Sequence, residues 1–444
     1  MTLMNEAKQL KDLHVLRRPN GDVVAFHARN LQVARLSSEA WDVLNRAAQR
    51  PWMSSDHQDE ALQALLDWDG STSETVQREK RETGVRALTI NVTQVCNLHC
   101  KYCAAGGDGS FGDPIKKIVV ADTLPALAEL IGKVPAGESF RLTFLGGEPL
   151  LYPEGIELLA EEASRLGQAG GVKVDFTVVT NGTLFSQKNI DLLARFKMDV
   201  TVSIDGPAEV NDARRPTKGG RGVTEQVIEG LRRLLPQKSA LGTVMLSGVF
   251  GKGNLDLMAA YNFYRQFDVD WFDFTYDHHE STAEINRAFM LEIGKVARHA
   301  FESEGEAGLR RIHTFDRYFI ALDNQQQTEN YCGAGKSFLM MDARQNLYTC
   351  PWVVNEPKEV VGHGGKVWGD KLKAYEAPLI EKNGCQDCWA RFLCGGGCMY
   401  IHRQATGDKH RVDQNYCDRT RFLIEQTLLY YEQTRGYEKG ESHV

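Results

Sequence analysis

Cysteines are the residues whose spacing suggests chemistry: three stand at Cys96-x3-Cys100-x2-Cys103, and the remaining seven of ten fall between Cys332 and Cys417. Ten cysteines in 444 residues are too sparse for a disulfide scaffold, so clustered thiols read as metal ligands. A closed zinc site wants four ligands and usually a second knuckle nearby, which the first cluster lacks. Three thiolates on a cubane iron–sulfur cluster instead leave one iron without a protein ligand, and an open iron can bind a substrate. The later seven run Cys332, Cys350, then Cys385-x2-Cys388-x5-Cys394-x3-Cys398, then Cys417. Two CxxC-like knuckles are also the signature of zinc ribbons, but the x5 and x3 spacings and the odd count fit that geometry poorly.

Other polar motifs fall at the ends of strand-like runs. Gly146 and Gly147 let a backbone approach a ligand closely, and Glu148, followed by Pro149, can accept from an ammonium group. Asn181, in Thr180-Asn181-Gly182, and Ser203, in Ser203-Ile204-Asp205-Gly206, suit ribose or carboxylate, although strand-end capping uses the same side chains. Arg215 in the stretch NDARRP offers a bidentate guanidinium to a carboxylate, with a surface ion pair as the alternative. Asp277, beside His278 and His279, is a candidate general base, with a solvated loop as its alternative. Gly106-Gly107-Asp108-Gly109 and Gly395-Gly396-Gly397 lack the frame of a phosphate loop, so ATP binding is not indicated.

Six apolar runs must position these groups: ALTINVTQ from 87, FRLTFLGG from 140, VDFTVVTNG from 174, DVTVSIDG from 199, LGTVMLSG from 241 and WFDFTYD from 271. Alternating with helix-length segments, they predict an α/β fold with a parallel sheet, open or curled into part of a barrel. Chemistry in such folds sits on loops at the carboxyl ends of the strands, where the first cysteines and the glycine, asparagine and serine motifs all lie. Before them, residues 12–50 read as strand, hairpin, strand and helix, with a turn at Pro19-Asn20-Gly21. In that helix Ser38 is the expected N-cap and Trp41, Leu44 and Ala48 share one face. A second helix, DEALQALLDW, and a polar linker follow, with a boundary near residue 84. After about residue 325 the chain breaks into short Gly- and Cys-rich pieces with hairpin signals around FLMMDARQNLYTC, a segment expected to depend on metal ligation. A last helix, RTRFLIEQTLLYYEQ, carries an apolar stripe.

A net charge of −7 leaves no basic excess for a nucleic acid backbone. No run approaches the apolar length of a membrane span, and the start, MTLMNEAKQLKDLH, lacks the apolar core of a signal peptide. These features predict a cytoplasmic protein with neither nucleic acid nor membrane as partner.

CxxxCxxC after the first run, then GGEP, TNG and SIDGP after the next three, resembles the radical S-adenosylmethionine superfamily across roughly residues 87–300. The resemblance implies a partial (β/α)6 TIM-like barrel and a 4Fe–4S cluster on Cys96, Cys100 and Cys103. It also implies S-adenosylmethionine contacts from Tyr102, Gly146, Gly147, Glu148, Pro149, Asn181, Ser203 and Arg215, and a 5′-deoxyadenosyl radical that abstracts hydrogen. The family often has His-Asp where this chain has Asn211-Asp212. The later cysteines resemble the SPASM extension of peptide-modifying radical enzymes, which carries two auxiliary clusters and makes three 4Fe–4S clusters in all. Carried over by position, Cys332, Cys350 and Cys398 would hold auxiliary cluster I, with an open iron. Cys385, Cys388, Cys394 and Cys417 would close auxiliary cluster II. One departure is Gln345, where the family usually has glycine.

The first 83 residues resemble the winged-helix-like leader-recognition module of ribosomal peptide maturases, with a DNA-binding winged helix as the alternative. Residues 84–324 would form the barrel and 325–444 the SPASM domain and final helix. AAGGDGSFG, after the first cluster, resembles a loop of thioether-forming maturases of the sactipeptide and ranthipeptide type. The implied function is maturation of a ribosomal precursor peptide by Cys thioether cross-linking, with an external one-electron donor such as flavodoxin or ferredoxin. Carbon–carbon or carbon–oxygen cross-linking, epimerisation and formylglycine formation are the enzymatic alternatives. A zinc-bearing peptide- or DNA-binding regulator is the non-enzymatic one.

Overall fold

The computed structural model describes residues 10–18, 20–49, 59–78, 84–103 and 117–435. Pro19, the Ala48 side chain and the AAGGDGSFG loop with its Gly106–Gly109 run lie outside them, as does most of the amino-terminal stretch. The chain divides into two compact units. One comprises Met1–Lys80, Ile293–Tyr331 and Pro378–Val444, and the other Arg81–Glu292 and Cys332–Ala377. Among the described residues no helix is long and apolar enough to cross a membrane.

In the first unit, β1 (Leu13–Arg17), β2 (Val23–His27) and β3 (Gln32–Arg35) form an antiparallel sheet in the order β1-β2-β3. Helix Ser38–Gln49 follows, capped by the Ser37 hydroxyl, which accepts from Ala40 N at 3.1 Å. The expected cap was Ser38; it lies one residue earlier because Ser38 already has helical geometry and only the preceding side chain can turn back to a free N–H. Helix Glu60–Gly70 starts at Asp59, whose carboxylate accepts from Ala61 N and Leu62 N. Leu13, Val15, Val23, Ala25, Leu44 and Leu65 make the core, with Trp41 and Trp68 packed against it.

That sheet is bound to distant parts of the chain. The His14 ring stacks on Trp389 at 3.7 Å with planes 2° apart, and Phe26 meets the same indole edge-on. Asp12, 1% exposed, pairs with Arg391 and Arg29. Glu432, also 1% exposed, pairs with Arg18 and Arg35. Glu432 closes the carboxyl-terminal helix Gln414–Thr434, which buries Leu423, Ile424 and Leu428. Arg18, Arg29 and Arg35, which a DNA-binding winged helix would offer to a phosphate backbone, are therefore occupied within the protein.

The second unit is built on one ten-stranded sheet. β4 (Ala87–Thr93), β5 (Ser139–Gly146), β6 (Lys173–Thr180), β7 (Asp199–Ser203), β8 (Val244–Phe250) and β9 (Trp271–Tyr276) run parallel and in sequence order. All six runs expected as strands form strands. Helices Val120–Ile131, Pro153–Gly170, Gln187–Arg195, Thr224–Leu234 and Leu257–Tyr264 fall between them. Alternation sets the faces: Phe272, Phe274 and Tyr276 are buried, the Tyr264 ring lies 5.8 and 5.6 Å from Phe272 and Phe274, and the intervening Asp273, Thr275 and Asp277 take the opposite face.

The cysteine-rich tail forms the hairpin expected around FLMMDARQNLYTC and departs from expectation in how that hairpin is extended. β10 (Phe338–Met341) adds parallel to β4, and β11 (Asn346–Tyr348), β12 (Val360–His363) and β13 (Lys366–Val367) continue antiparallel to the sheet edge. Sheet hydrogen bonds thus carry part of a segment expected to rely on metal. The Gln345 departure is resolved in the β10–β11 turn, where Gln345 itself adopts φ 66°. Asp342 Oδ1 holds that turn by accepting from Arg344 N at 2.9 Å and Asn346 N at 2.8 Å.

Candidate functional site

The loops after β4 and β5 are joined backbone to backbone. Gly147 N donates to Thr93 O at 2.8 Å and Glu148 N to Val95 O at 2.9 Å. The approach demands glycine: a Cβ on Gly146, at φ 152°, would lie 2.2 Å from Thr93 O, and one on Gly147 would lie 2.3 Å from Val95 O. Gly147→Ala must therefore push the backbone that leads into Cys96. We expect a loss of about 1–3 kcal/mol of stability in denaturant unfolding. Unchanged stability would show that the approach is not needed.

Glu148 is fully buried and ties β5 to β6. Its Oε1 accepts from Thr180 Oγ1 at 2.6 Å and Leu150 N at 3.1 Å, and its Oε2 accepts from Asn181 N at 2.7 Å. Burial pushes its carboxyl up to about 7, against those three donors. Pro149 opens the buried helical turn that follows. Asn181 then reaches the cysteine loop, with Nδ2 donating to Asn97 Oδ1 at 2.8 Å and standing 3.8 Å from Cys96 Sγ. Ser203 ends β7 in register with Ser247 of β8.

The thiols are in a low-dielectric place. Burial pushes Cys96 up to about 12 and also raises Cys100, where the Arg215 guanidinium opposes it from 3.9 Å. Arg215 is itself buried, with Nε donating to Asp205 Oδ1 at 3.2 Å. The Tyr102 hydroxyl donates to the same carboxylate at 2.5–2.6 Å, and its ring lies under Arg214 at 4.6 Å and Arg215 at 5.5 Å. Asp205 is thus the hub that fixes Tyr102 and Arg215 against Cys100.

Asp205 and Arg214 are the site residues that the sequence motifs left without a role. Two adjacent arginines downstream of a strand-end aspartate are the available signal. Asn211 and Asp212 shape this segment: Asn211 Oδ1 accepts from Asp205 N at 3.0 Å, and Asp212 Oδ1 accepts from Val223 N, Thr224 N and Thr224 Oγ1.

Asp277 follows β9 and is 7% exposed. Its Oδ1 accepts from His279 N and faces His279 Nδ1 at 3.3 Å, while its Oδ2 stands 3.5 Å from Arg214 Nη2. Burial raises its carboxyl, but His279 and Arg214 outweigh it, holding the group below its ordinary value, and Asp277 raises His279 in turn. The half-exposed His279 ring stands 5.9 Å from that of Trp352.

Of the later cysteines, Cys385, Cys388, Cys394 and Cys417 line one cavity in the first unit, with Arg391, His402, Tyr416 and Arg421. Burial pushes Cys394 up to about 12 and Cys417 up to about 11. Cys398 belongs to the same unit and opens helix Met399–Thr406. Cys332 and Cys350 belong to the second unit, where Cys350 follows β11. Among the described residues, no three His, Cys, Asp or Glu side chains already surround a single metal position.

Comparison with known proteins follows these features. The model of the radical SAM superfamily matches residues 90–263. The uncharacterised protein MJ0907 of Methanocaldococcus jannaschii is 28% identical over 148 residues, 33% of this chain, so the chain spans about half (48%) of that relative. The radical SAM cyclopropyl synthase TigE of Paramaledivibacter caminithermalis is 22% identical over 81% of this chain and 78% of its own. Mycofactocin maturase MftC of Mycobacterium tuberculosis is 25% identical over 72% and 81%. Among solved structures, native anSMEcpe with bound AdoMet has a TM-score of 0.64 at 20% identity, covering 78% of this chain and 99% of that one. Streptococcus suis SuiB bound to precursor peptide SuiA has a TM-score of 0.52 at 12% identity, covering 91% and 98%. These likenesses show the fold: an α/β architecture on a parallel sheet.

Proposed function

From the radical SAM domain that residues 90–263 form, we propose that this enzyme is a cytoplasmic maturase of a ribosomal precursor peptide and that it closes Cys thioether cross-links. The observation that carries the reading is the three-thiol loop held at the carboxyl end of β4 by the loops of β5, β6 and β7. Desolvated thiols with one guanidinium against them suit an iron–sulfur cluster, whose irons replace the thiol protons. Cys96, Cys100 and Cys103 would hold that cluster. Tyr102, Gly146, Gly147, Glu148, Pro149, Asn181, Ser203 and Arg215 would surround S-adenosylmethionine. When bound, cluster and S-adenosylmethionine together supply a hydrogen-abstracting carbon radical.

The protein's own share is positioning and proton handling. Asp205 orients Arg215 and Tyr102, and Arg214 extends the same network to Asp277. Closing a thioether removes two hydrogens from the peptide, one as an atom and one as a proton, and the electron left over would pass to an auxiliary cluster. Asp277 is the proposed proton acceptor, acting with His279, whose Nδ1 faces the carboxylate.

Residues 1–83 serve as the winged-helix-like leader-binding domain, 84–324 as the radical barrel and 325–444 as the SPASM segment. β3 is an edge strand whose residues Gln32–Arg35 are less buried than those of β1, which suits addition of a leader strand there. Two auxiliary 4Fe–4S clusters, on Cys332, Cys350 and Cys398 and on Cys385, Cys388, Cys394 and Cys417, complete the cofactors. Flavodoxin or ferredoxin supplies the electron.

Anaerobic co-expression with a cysteine-containing small peptide encoded nearby tests this, by intact mass with and without thiol alkylation. Loss of two hydrogens per link with the thiols blocked is the expected result. The same loss with free thiols moves the bond to carbon or oxygen, and a mass unchanged in ordinary water but raised in deuterium oxide moves it to epimerisation. S-adenosylmethionine cleavage with no change in any such peptide overturns the peptide reading.

A further inference from the structure

We propose that Arg317 and Arg421 are fixed counter-charges of the four-cysteine cavity formed by Cys385, Cys388, Cys394 and Cys417, and that they raise the reduction potential of the cluster it holds. The inference rests on the reading of these four cysteines as cluster ligands, and extends it to residues with no assigned role. The cavity fits such a group: four thiols line one hollow, and the Arg421 guanidinium in the same wall reaches one of their sulfurs. A cubane on four thiolates carries net negative charge, which grows on reduction, and its potential responds to nearby charge and to hydrogen bonds on sulfur.

Both arginines are placed to act on that charge. Arg421 projects from helix Gln414–Thr434, one turn beyond Cys417, and its Nη2 donates to Cys388 Sγ at 3.7 Å. Its carboxylate neighbour, Asp418 at 3.8 Å, is about half exposed and so only weakly compensates it. Arg317 projects from helix His313–Asp323 and lies 5.2 Å from the Tyr318 ring centre and 5.1 Å from that of Tyr331. The Tyr331 ring meets edge-on, at 6.0 Å, that of Tyr416, which lines the cavity, and among the described residues no carboxylate pairs with Arg317. A half-buried guanidinium held on aromatic faces without an anion is costly unless an anion arrives. A thiolate-bound cluster beside Cys394 supplies one.

The sign follows from Coulomb's law. A cation stabilises the reduced cluster more than the oxidised one, so its removal lowers the midpoint potential. Loss of the nearby anion Asp418 raises it.

The test uses full-length protein, reconstituted anaerobically, in a Cys96→Ala, Cys100→Ala, Cys103→Ala background that silences the first cluster. Redox titrations followed by electron paramagnetic resonance compare Arg421→Gln, Arg317→Gln and Asp418→Asn. The two arginine variants are expected to lower the reduced-to-oxidised ratio at fixed potential about tenfold, ~59 mV for a one-electron couple. Asp418→Asn is expected to move the midpoint the opposite way, and as an exposed substitution it keeps the test open should an arginine variant lose iron. Unmoved midpoints at full iron content in the variants that retain it overturn the inference. Parent protein whose iron content is unaffected by Cys385→Ala and Cys388→Ala overturns instead the cluster reading beneath it.

Discussion

Alanine at Cys96, Cys100 or Cys103, one at a time, is expected to reduce S-adenosylmethionine cleavage more than a hundredfold, about 2.7 kcal/mol or more in the barrier, while the fold persists. These three thiols are the only cysteines in the sequence before Cys332. Losing one would leave two ligands for the proposed cluster, whose fourth iron has no protein ligand to spare. The structural cost is small by comparison. Leu98 N donates to Cys96 Sγ at 3.4 Å, but Asn97 and Asn181 hold the loop through each other and through Thr183. Cleavage measured as 5′-deoxyadenosine, beside an unchanged far-ultraviolet spectrum, separates chemistry from folding. Retained cleavage in any of the three would falsify the assignment of the cluster.

The contrast between that loop and the rest of the site explains what the sequence revealed. Period-two apolar runs announce strands, and an α/β alternation places their carboxyl ends together, so the loops bearing Cys96, Gly147, Asn181 and Ser203 could be expected on one edge of the sheet. Glycine doublets announce close approach but not its object. Gly146 and Gly147 meet the Thr93 and Val95 carbonyls, a contact set by strand register that no local pattern encodes. Asp205 shows the same limit, since its partners Tyr102, Arg215 and Val249 come from three other segments. β12 and β13 were harder still: strands of four and two residues carry too few side chains for a periodic signal, and they are fixed by pairing to β11 and to each other. At Gln345 the local rule itself gave way, because Asp342 supplies the hydrogen bonds that make a left-handed glutamine tolerable.

Asp12 is the extreme of this long-range dependence, and its removal carries the second large expected effect. Arg391, 379 residues away, is 8% exposed and pairs with the Asp12 carboxylate, while its Nη1 also donates to Cys388 O at 3.1 Å. Asp12→Ala leaves that guanidinium buried without its anion, a loss of about 3–5 kcal/mol of stability in the first unit. Arg29, the second partner, is 45% exposed and rehydrates at little cost. Denaturant unfolding of the full chain should show the loss. Hydrogen exchange should locate it, with protection falling together in β1 and in the backbone from Cys385 to Cys394. Asp12→Asn, which retains a hydrogen-bond acceptor but not the charge, should fall between parent and alanine. Exchange that rises in β1 while Cys388 and its neighbours stay protected would mean that Trp389 stacking on His14, rather than the ion pair, holds these elements together. In that event His14→Ala, not Asp12→Ala, becomes the variant that loosens both.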